Sequence, residues 1–367
     1  METNEAIKKQ NERLVKVIRK LLGIIVSLVI CIVLITLYSV YQPDVKSWFS
    51  KSKAEATEEA AKKEAFDKWD AEYKLSKATA GFWTPANLDA LPDGSAAKTE
   101  ILYGRELIAH TSKYLGPNGT VSQISNGLNC QNCHLDAGTK AWGSNFGAVF
   151  ATYPKYRGRS GKVEDISKRI NDCMERSLNG KPLALESREM LAIKTYIEFI
   201  GKNVTKGQKP KGTGIFDLPF LNRPANPANG KSLFLTKCQS CHQPNGEGLL
   251  TADKTEYTYP PLWGSHSYNC GAGLYRMSRF AGYIKYNMPN GATYQNPQLS
   301  DEEAWDIAAF INSQPRPVKD LSKDWPKITE KPFDYPFGPF ADNFTEQQHK
   351  YGPFRPIDDE IKSRMKK

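Results

Sequence analysis

Residues 130–134 read CQNCH and residues 238–242 read CQSCH, so one pattern occurs twice along the chain. Cys-x-x-Cys-His is the pattern of covalent haem attachment, in which two thiols bond to the haem and the adjacent imidazole binds the iron. One copy alone could be a zinc or redox pair, but two copies argue against that interpretation. The sequence therefore predicts two covalently bound c-type haems, with these attachment cysteines and iron-binding histidines: Cys130, Cys133 and His134 for the first haem, and Cys238, Cys241 and His242 for the second.

The segments before the two patterns resemble each other, which indicates an internal repeat. Each contains Gly-x-x-Leu in a helical context, at Gly104 and at Gly230. Each half also ends in an amphipathic helix pattern, and in the second half Ser300 and Glu303 form a capping box at its start. The second half resembles small class I cytochromes c through CQSCH, PPLWG, NMP and this last helix. The predicted fold is mainly α, with two tandem class I cytochrome c-like domains.

An uncharged stretch near the N-terminus predicts a membrane anchor. Residues 21–41 read LLGIIVSLVICIVLITLYSVY, which as a helix at ~1.5 Å per residue matches a hydrocarbon core of ~30 Å. The apolar region of a cleaved signal peptide is shorter, at ~7–15 residues. Lys and Arg are denser before the span than after it, which predicts a cytoplasmic N-terminus. We therefore expect a single-pass protein of the inner membrane with its haem domains on the periplasmic side.

The regions outside the two domains differ in composition. Residues 42–80 are rich in Lys, Ala and Glu and are predicted to form a charged helical stalk, although a flexible tether has the same composition. The tail is rich in proline and aromatic residues, and since disordered tails are usually poor in aromatics, we expect it to wrap the domains in an extended form. The predicted order is a basic N-terminus (1–20), a transmembrane helix (21–41), the stalk (42–80), the first domain (81–202), a linker (203–228), the second domain (229–316) and the tail (317–367).

Composition restricts the class of partner. Fifty Lys and Arg against forty Asp and Glu give a formal net charge of +10, which suits an anionic partner. The basic residues are dispersed and form no known recognition pattern, so nucleic acid is excluded. Of the remaining cysteines, Cys31 lies in the apolar span and Cys270 is expected to be a buried free thiol.

The second axial ligand of each iron must come from elsewhere in the chain. For the second haem, Met288 precedes a proline just before the last helix, and the alternatives are Met277 as ligand or Met288 as a core residue. For the first haem the candidates are Cys173, Met174, Met190 and His110.

One predicted helix favours Cys173 among these candidates. Residues 163–178 have a helical pattern, on which Arg169, Cys173 and Ser177 recur at i, i+4 and i+8 and share a face. A thiol flanked by arginines one helical turn away is expected to be held as a thiolate, whereas the alternative, an inert buried cysteine, would better suit apolar neighbours.

The chain resembles the dihaem thiosulfate dehydrogenases, also called tetrathionate reductases. The resemblance covers roughly residues 80–317 and rests on CQNCHLDAG, YPKYRGRSGKVEDISKRINDCMERSLNGKPL, CQSCH, PPLWG and YIKYNMPNGATY. It implies His and Cys ligands at a catalytic first haem, and so the Cys173 thiolate as its axial ligand. It also implies active-site roles for Arg159, Arg169 and Ser177. Where some members have a lysine before the methionine, this chain has Asn287, so stable His242/Met288 ligation is expected.

The resemblance implies a reaction that joins two thiosulfates to tetrathionate, or its reverse, with electrons leaving through the second haem. The expected partners are thiosulfate, tetrathionate, the lipid bilayer, and a periplasmic cytochrome or membrane electron-transfer complex. Two alternatives remain at this stage. One is a non-catalytic, membrane-anchored dihaem electron-transfer cytochrome of a respiratory complex, and the other is a sulfur-carrier cytochrome of a sulfur-oxidation system.

Overall fold

The computed structural model describes residues 2–41, 57, 60 and 81–365. The chain divides into two compact units, Met1–Ala78 and Thr79–Lys367. Helices dominate the described residues, and the strands are short, so the predicted mainly helical architecture is confirmed.

The first unit contains one long helix, α1, which runs from Glu2 to Tyr41. Within it, Lys9–Ser39 is long and apolar enough to cross a membrane, a test of length and composition that a signal sequence would also pass. The helix includes the basic residues that precede the apolar span. Of the predicted stalk, only Thr57 and Ala60 are described, and both are helical; the remainder of residues 42–80 lies outside the described residues.

The first half of the second unit is a small helical domain with one β-hairpin. Its elements in chain order are α2 (Ala96–Ala109), α3 (Thr111–Leu115), α4 (Leu135–Gly138), α5 (Val149–Thr152), β1 (Lys155–Arg157), β2 (Lys162–Glu164), α6 (Ile166–Arg176) and α7 (Arg188–Gly201). The hairpin strands pair antiparallel, with Tyr156 opposite Val163.

The second half repeats this plan and continues into the tail. Its elements are α8 (Pro227–Lys237), α9 (Gln239–His242), β3 (Leu249–Leu250), β4 (Tyr257–Tyr259), α10 (Met277–Asn287), α11 (Asp301–Asn312), α12 (Glu346–Tyr351) and α13 (Arg355–Met365). Strands β3 and β4 pair antiparallel with an irregular register.

Each domain is built on two helices that cross at a glycine. A Cβ at Gly104 in α2 would lie 2.0 Å from the carbonyl oxygen of Ala192 in α7. A Cβ at Gly230 in α8 would lie 1.9 Å from the carbonyl oxygen of Asp306 in α11. Only glycine allows the backbones to approach so closely. The Gly-x-x-Leu repeat of the sequence therefore marks the same helix crossing in both domains.

Side-chain caps fix where these crossing helices begin. Ser95, Ser187 and Ser300 each accept a hydrogen bond from the backbone amide three residues on. Asn226 caps α8, with Pro227 as the first helical residue. The predicted capping box of Ser300 and Glu303 is present in full.

The tail packs against the domains, but it is not extended throughout. Its last part forms α12 and α13, where Phe354 and Ile357 are 2% and 0% exposed and join the core of the second domain. Trp325, nearer the start of the tail, is also buried. The tail therefore packs on the domains as predicted, but its last part is helical rather than extended, because a helical turn after Phe354 brings Ile357 into the same core.

The glycine crossing yields a stability prediction. Gly230→Ala forces a methyl group against the Asp306 carbonyl, so α8 and α11 must move apart, and we expect the free energy of unfolding to fall by about 1–3 kcal/mol. Thermal or denaturant unfolding of the haem-loaded chain measures this. The matched control is Gly273→Ala, where an added Cβ would meet no atom within 4 Å. Equal stability of the two variants would contradict the close-approach explanation.

Candidate haem and anion site

The first Cys-x-x-Cys-His pattern lies at the wall of an apolar cavity of about 480 Å³. Cys130, His134 and Cys173 line it, together with apolar side chains such as Ile170 and Met174. A cavity of this size and lining suits a haem, with Cys173 as the sulfur donor besides the attachment cysteines.

His134 is prepared to bind a metal through one nitrogen. Its Nδ1–H donates to the carbonyl oxygen of Ser144 at 2.5 Å, which leaves the Nε2 lone pair free. Burial lowers the pKa of His134 to about 4, so the imidazole is neutral at pH 7. The indole Nε1 of Trp142, also in this cavity, is buried and has no partner among the described residues, which is expected where a polar group of a haem completes the site.

Cys173 lies on α6, whose start differs from the prediction. The helix was expected to begin at Val163, with Glu164 and Asp165 in its first turn. Instead, Asp165 is the N-cap and accepts a hydrogen bond from the backbone of Lys168 at 2.8 Å, while Val163 and Glu164 belong to β2. The capping carboxylate satisfies amides that the first turn of a helix leaves unpaired, so the helix begins after it.

A second cavity, of about 380 Å³, adjoins the first and contains a cluster of charged side chains. Cys173, Ser177 and His134 line it. So do six arginines and two carboxylates: Arg157, Arg159, Arg169, Arg176, Arg276 and Arg279, with Asp172 and Glu330. We call this space the anion cavity. The structure thus brings together all four residues that the sequence predicted as catalytic, and it places Cys173 in both cavities.

The arginines of the anion cavity differ in how many of their hydrogen-bond donors have a partner. Arg159 donates to Asp324 at 2.8 Å and to the hydroxyl of Tyr335, and it packs over the ring of Trp325. Arg176 also donates to Asp324, at 3.1 Å, but its Nε and Nη1 are buried without a partner among the described residues.

Arg169 is the arginine most closely linked to the thiol. The negative charge of the Cys173 thiolate raises the pKa of Arg169 above its usual value, although burial acts in the opposite direction. Arg169 therefore keeps its positive charge beside Cys173.

The second Cys-x-x-Cys-His pattern opens on a further cavity of about 490 Å³, lined by Cys238, Cys241 and His242. The Nδ1–H of His242 donates to the carbonyl oxygen of Pro260 at 2.9 Å, the same arrangement as in the first domain. Burial lowers the pKa of His242. The hydroxyl of Tyr268, which also lines this cavity, is buried and has no partner in the described part of the chain.

The geometry separates the two methionines considered for the second haem. Met288 follows α10 and lines the cavity with His242. Met277 lies at the other end of α10, is 0% exposed within the hydrophobic core, and accepts a weak hydrogen bond from Asn312. Met277 is not among the residues of this cavity.

Two of the other candidates for the first haem lie elsewhere. His110 pairs with Glu256 at 3.0 Å and lines the cavity of the second pattern. Met190 is fully buried in the first core. Met174 shares the apolar cavity with Cys173, but it is 1% exposed and belongs to the hydrophobic core. Cys173 alone of the four reaches the anion cavity as well.

The anion cavity adjoins the cavity of the second pattern. Cys133, from the first pattern, lines both the anion cavity and the cavity of the second pattern. The buried hydroxyl of Tyr283, on α10, donates to the carbonyl oxygen of Asn132 at 3.1 Å and so joins the two domains at this point.

Known proteins share both domains. Residues 121–205 match the family model of the SoxA/TsdA cytochrome c domain, and residues 227–315 match that of cytochrome c. A thiosulfate dehydrogenase of Allochromatium vinosum is 38% identical over 232 residues, which cover 62% of this chain and 82% of the relative. One of Psychrobacter arcticus is 41% identical over 224 residues, 61% of this chain and 65% of the relative. The chain belongs to the thiosulfate dehydrogenase family.

A solved structure supports the same assignment. Thiosulfate dehydrogenase (TsdBA) from Marichromatium purpuratum, in its as-isolated form, superimposes with a TM-score of 0.59 at 33% identity. The match covers 65% of this chain and 51% of that one, so this chain spans about half the length of the solved relative. Membership of the family confirms an oxidoreductase that acts on thiosulfate, with two cytochrome c domains and two c-type haems.

Several residues that line the anion cavity were not predicted from the sequence. Arg176 lies three residues after Cys173 on the same helix, so helical spacing could have found it. Trp325, Glu330, Pro332 and Tyr335 come from the tail, and no local pattern relates them to Cys173.

Proposed function

We propose that this protein interconverts thiosulfate and tetrathionate, two thiosulfates giving one tetrathionate and two electrons. The observation that carries the proposal is the position of Cys173, a thiol shared by the haem cavity and the anion cavity. A cytochrome that only transfers electrons has no need for a thiol among buried arginines.

The arginines would overcome the repulsion between two dianions. Forked guanidinium donors bind sulfonate oxygens in pairs, and Arg159 and Arg169 are our candidates, with Ser177 as an additional hydroxyl donor. Because the Arg159 side chain is largely buried, its attraction to a dianion is stronger than it would be in water.

Cys173 is proposed to carry the sulfur. Its thiolate bonds to the outer sulfur of one thiosulfate and two electrons are released, which leaves a Cys–S–S–sulfonate. The second thiosulfate attacks that outer sulfur through its own terminal sulfur. The S–S bond between the Cys173 Sγ and the outer sulfur then breaks. This restores the Cys173 thiolate and releases tetrathionate. Charge and atoms balance in both steps, and the reverse sequence describes tetrathionate reduction.

The proposed iron ligands are His134 and Cys173 at the first haem and His242 and Met288 at the second. When bound, the two haems supply the two one-electron acceptors that a two-electron oxidation needs. The chain itself holds the imidazoles neutral and correctly oriented, and it brings one thiol to the junction of the two cavities.

We also propose that α1 anchors the chain in the inner membrane, with the haem domains on the periplasmic side. The uncharged span and the excess of basic residues before it support this orientation. The partner that takes up electrons would then be a periplasmic cytochrome or a membrane electron-transfer complex.

The chemistry is tested by Cys173→Met in the full, haem-loaded chain. Methionine would still offer a sulfur donor to the iron but cannot form the adduct, so we expect both haems to be retained and turnover to fall by about three orders of magnitude or more. Thiosulfate oxidation and tetrathionate reduction with a redox dye measure this. Cys270→Ser is the control, because Cys270 does not line the anion cavity and serine can keep the bond to the Lys319 amide. Near-normal turnover of Cys173→Met would favour the electron-transfer alternative, and a wild-type chain that binds thiosulfate without turnover would favour the sulfur carrier.

The second haem is tested by Met288→Gly. Losing the thioether should remove His/Met character from one haem spectrum and lower its reduction potential, because a methionine ligand raises the potential. Thiosulfate affinity should stay within about twofold of wild type, since Met288 lies outside the anion cavity. Met277→Leu is the control and should leave the spectrum unchanged. The assignment is wrong if the two variants exchange these results.

Membrane attachment is tested by a chain that begins near Lys51 and is exported behind a cleavable signal. We expect it to be recovered in the soluble fraction with both haems, whereas the full chain sediments with membranes. Complete retention of the shortened chain in the membrane fraction would refute a single anchor.

A further inference from the structure

The tail lies across the hairpin loop of the first domain, although the two segments are far apart in sequence. The Trp325 amide donates to the carbonyl oxygen of Arg159 at 2.7 Å, and the Tyr156 hydroxyl donates to Glu330 at 2.8 Å. A Cβ at Gly161 would lie 2.7 Å from the ring of Pro326, and one at Gly158 would lie 2.8 Å from Glu330. The glycines of the hairpin loop therefore make room for the tail.

The tail also fastens to the second domain next to the same cavity. Asp334 is 0% exposed and pairs with Arg276 at 2.7 Å. The Lys319 amide donates to the Sγ of Cys270 at 3.3 Å. Residues 319–337, which we call the tail wall, are thus held at both domains, and Trp325, Glu330, Pro332 and Tyr335 form part of the surface of the anion cavity.

Within the tail wall, Asp324 bridges two arginines of the cavity. One carboxylate oxygen accepts from Arg159 at 2.8 Å, and the other accepts from Arg176 at 3.1 Å. Their side chains are only 11% and 13% exposed, so water cannot replace this carboxylate effectively. Without it, two buried guanidinium groups would repel each other and lose their fixed orientation.

The carboxylate is not placed as a competitor of the substrate. Arg159 and Arg176 both line the anion cavity, whereas Asp324 is not among its lining residues. Asp324 therefore lies behind the arginines. The Nε and Nη1 of Arg176 are buried and have no partner among the described residues, so Asp324 does not occupy all the donors of this arginine.

We infer that the tail wall completes the anion cavity and that Asp324 is a positioning residue, which holds Arg159 and Arg176 for a small sulfur oxyanion dianion. The inference rests on the proposed function, because it assigns thiosulfate to this cavity. It adds a part of the chain that lies beyond both matched domains, which end at residue 315.

The test is Asp324→Asn in the full chain with both haems, assayed for thiosulfate oxidation with ferricyanide as electron acceptor. Asparagine has the same shape, but it offers one acceptor and no charge to two arginines. We expect KM for thiosulfate to rise about 10- to 100-fold and kcat to fall by less than about fivefold, since substrate binding is what the arginines provide. Haem spectra should match wild type.

Two further variants accompany it. Asp320→Asn is the matched control, an exposed tail carboxylate that accepts a hydrogen bond from the nearby Ser322 amide, and KM should not change. Asp324→Glu keeps the charge but displaces it, and an intermediate rise in KM is expected. If Asp324→Asn does not load haem, Asp324→Glu decides the question, and a wild-type KM in that variant overturns the inference.

The outcomes separate the two proposals. An active wild type with an unchanged KM in Asp324→Asn refutes the positioning role and leaves the proposed function intact. A lower KM would show that the carboxylate competes with thiosulfate, which also refutes it. A wild type without thiosulfate turnover refutes the proposed function itself.

Discussion

Mutual repulsion of the arginines around Cys173 is the constraint on which the site depends. Six arginines line one cavity of about 380 Å³ and only two carboxylates share it. Such a cluster stays folded only if charges behind it compensate and fix each guanidinium. Asp324 and Asp334 do so from the tail, at 10% and 0% exposure. The positive charge that remains uncompensated at the surface of the cavity is then available to a dianion next to Cys173.

The two domains share one arrangement of helices but differ in the surroundings of their Cys-x-x-Cys-His patterns. Both rest on a glycine crossing of their first and last helices, at Gly104 and Gly230, and both orient the haem-binding imidazole through a backbone carbonyl. What differs is the segment between the haem pattern and the last helix. In the first domain it forms a hairpin and the helix that bears Cys173, whereas in the second it leads through α10 to Met288. The shared arrangement carries a Cys-x-x-Cys-His pattern in either case, and in the first domain the inserted segment contributes four of the arginines that line the anion cavity: Arg157, Arg159, Arg169 and Arg176.

The sequence predicted correctly those features that depend on residues close together along the chain. The two Cys-x-x-Cys-His patterns, the helices that carry Gly-x-x-Leu and the capping box at Ser300 all depend on spacings of a few residues, and the structure has each of them. Helical spacing likewise placed Arg169 and Ser177 beside Cys173. The start of α6 was misplaced because strand pairing of Val163, a tertiary contact across the hairpin, prevailed over helix propensity. The contribution of the tail could not be predicted, since Asp324 lies 148 residues from Arg176 in sequence and their contact depends on how two folded domains meet.

Helix α10 links the two ends of this arrangement. Arg276, which immediately precedes it, lines the anion cavity and pairs with Asp334 of the tail, whereas Met288, which immediately follows it, lines the cavity of the second haem. The hydroxyl of Tyr283, midway along α10, donates a hydrogen bond to the carbonyl oxygen of Asn132 in the first Cys-x-x-Cys-His pattern. Packed helices move as rigid bodies rather than bending gradually. The tail wall, the anion cavity and the environment of Met288 therefore share one rigid element, and the anion cavity is complete only when the second domain and the tail are docked on the first.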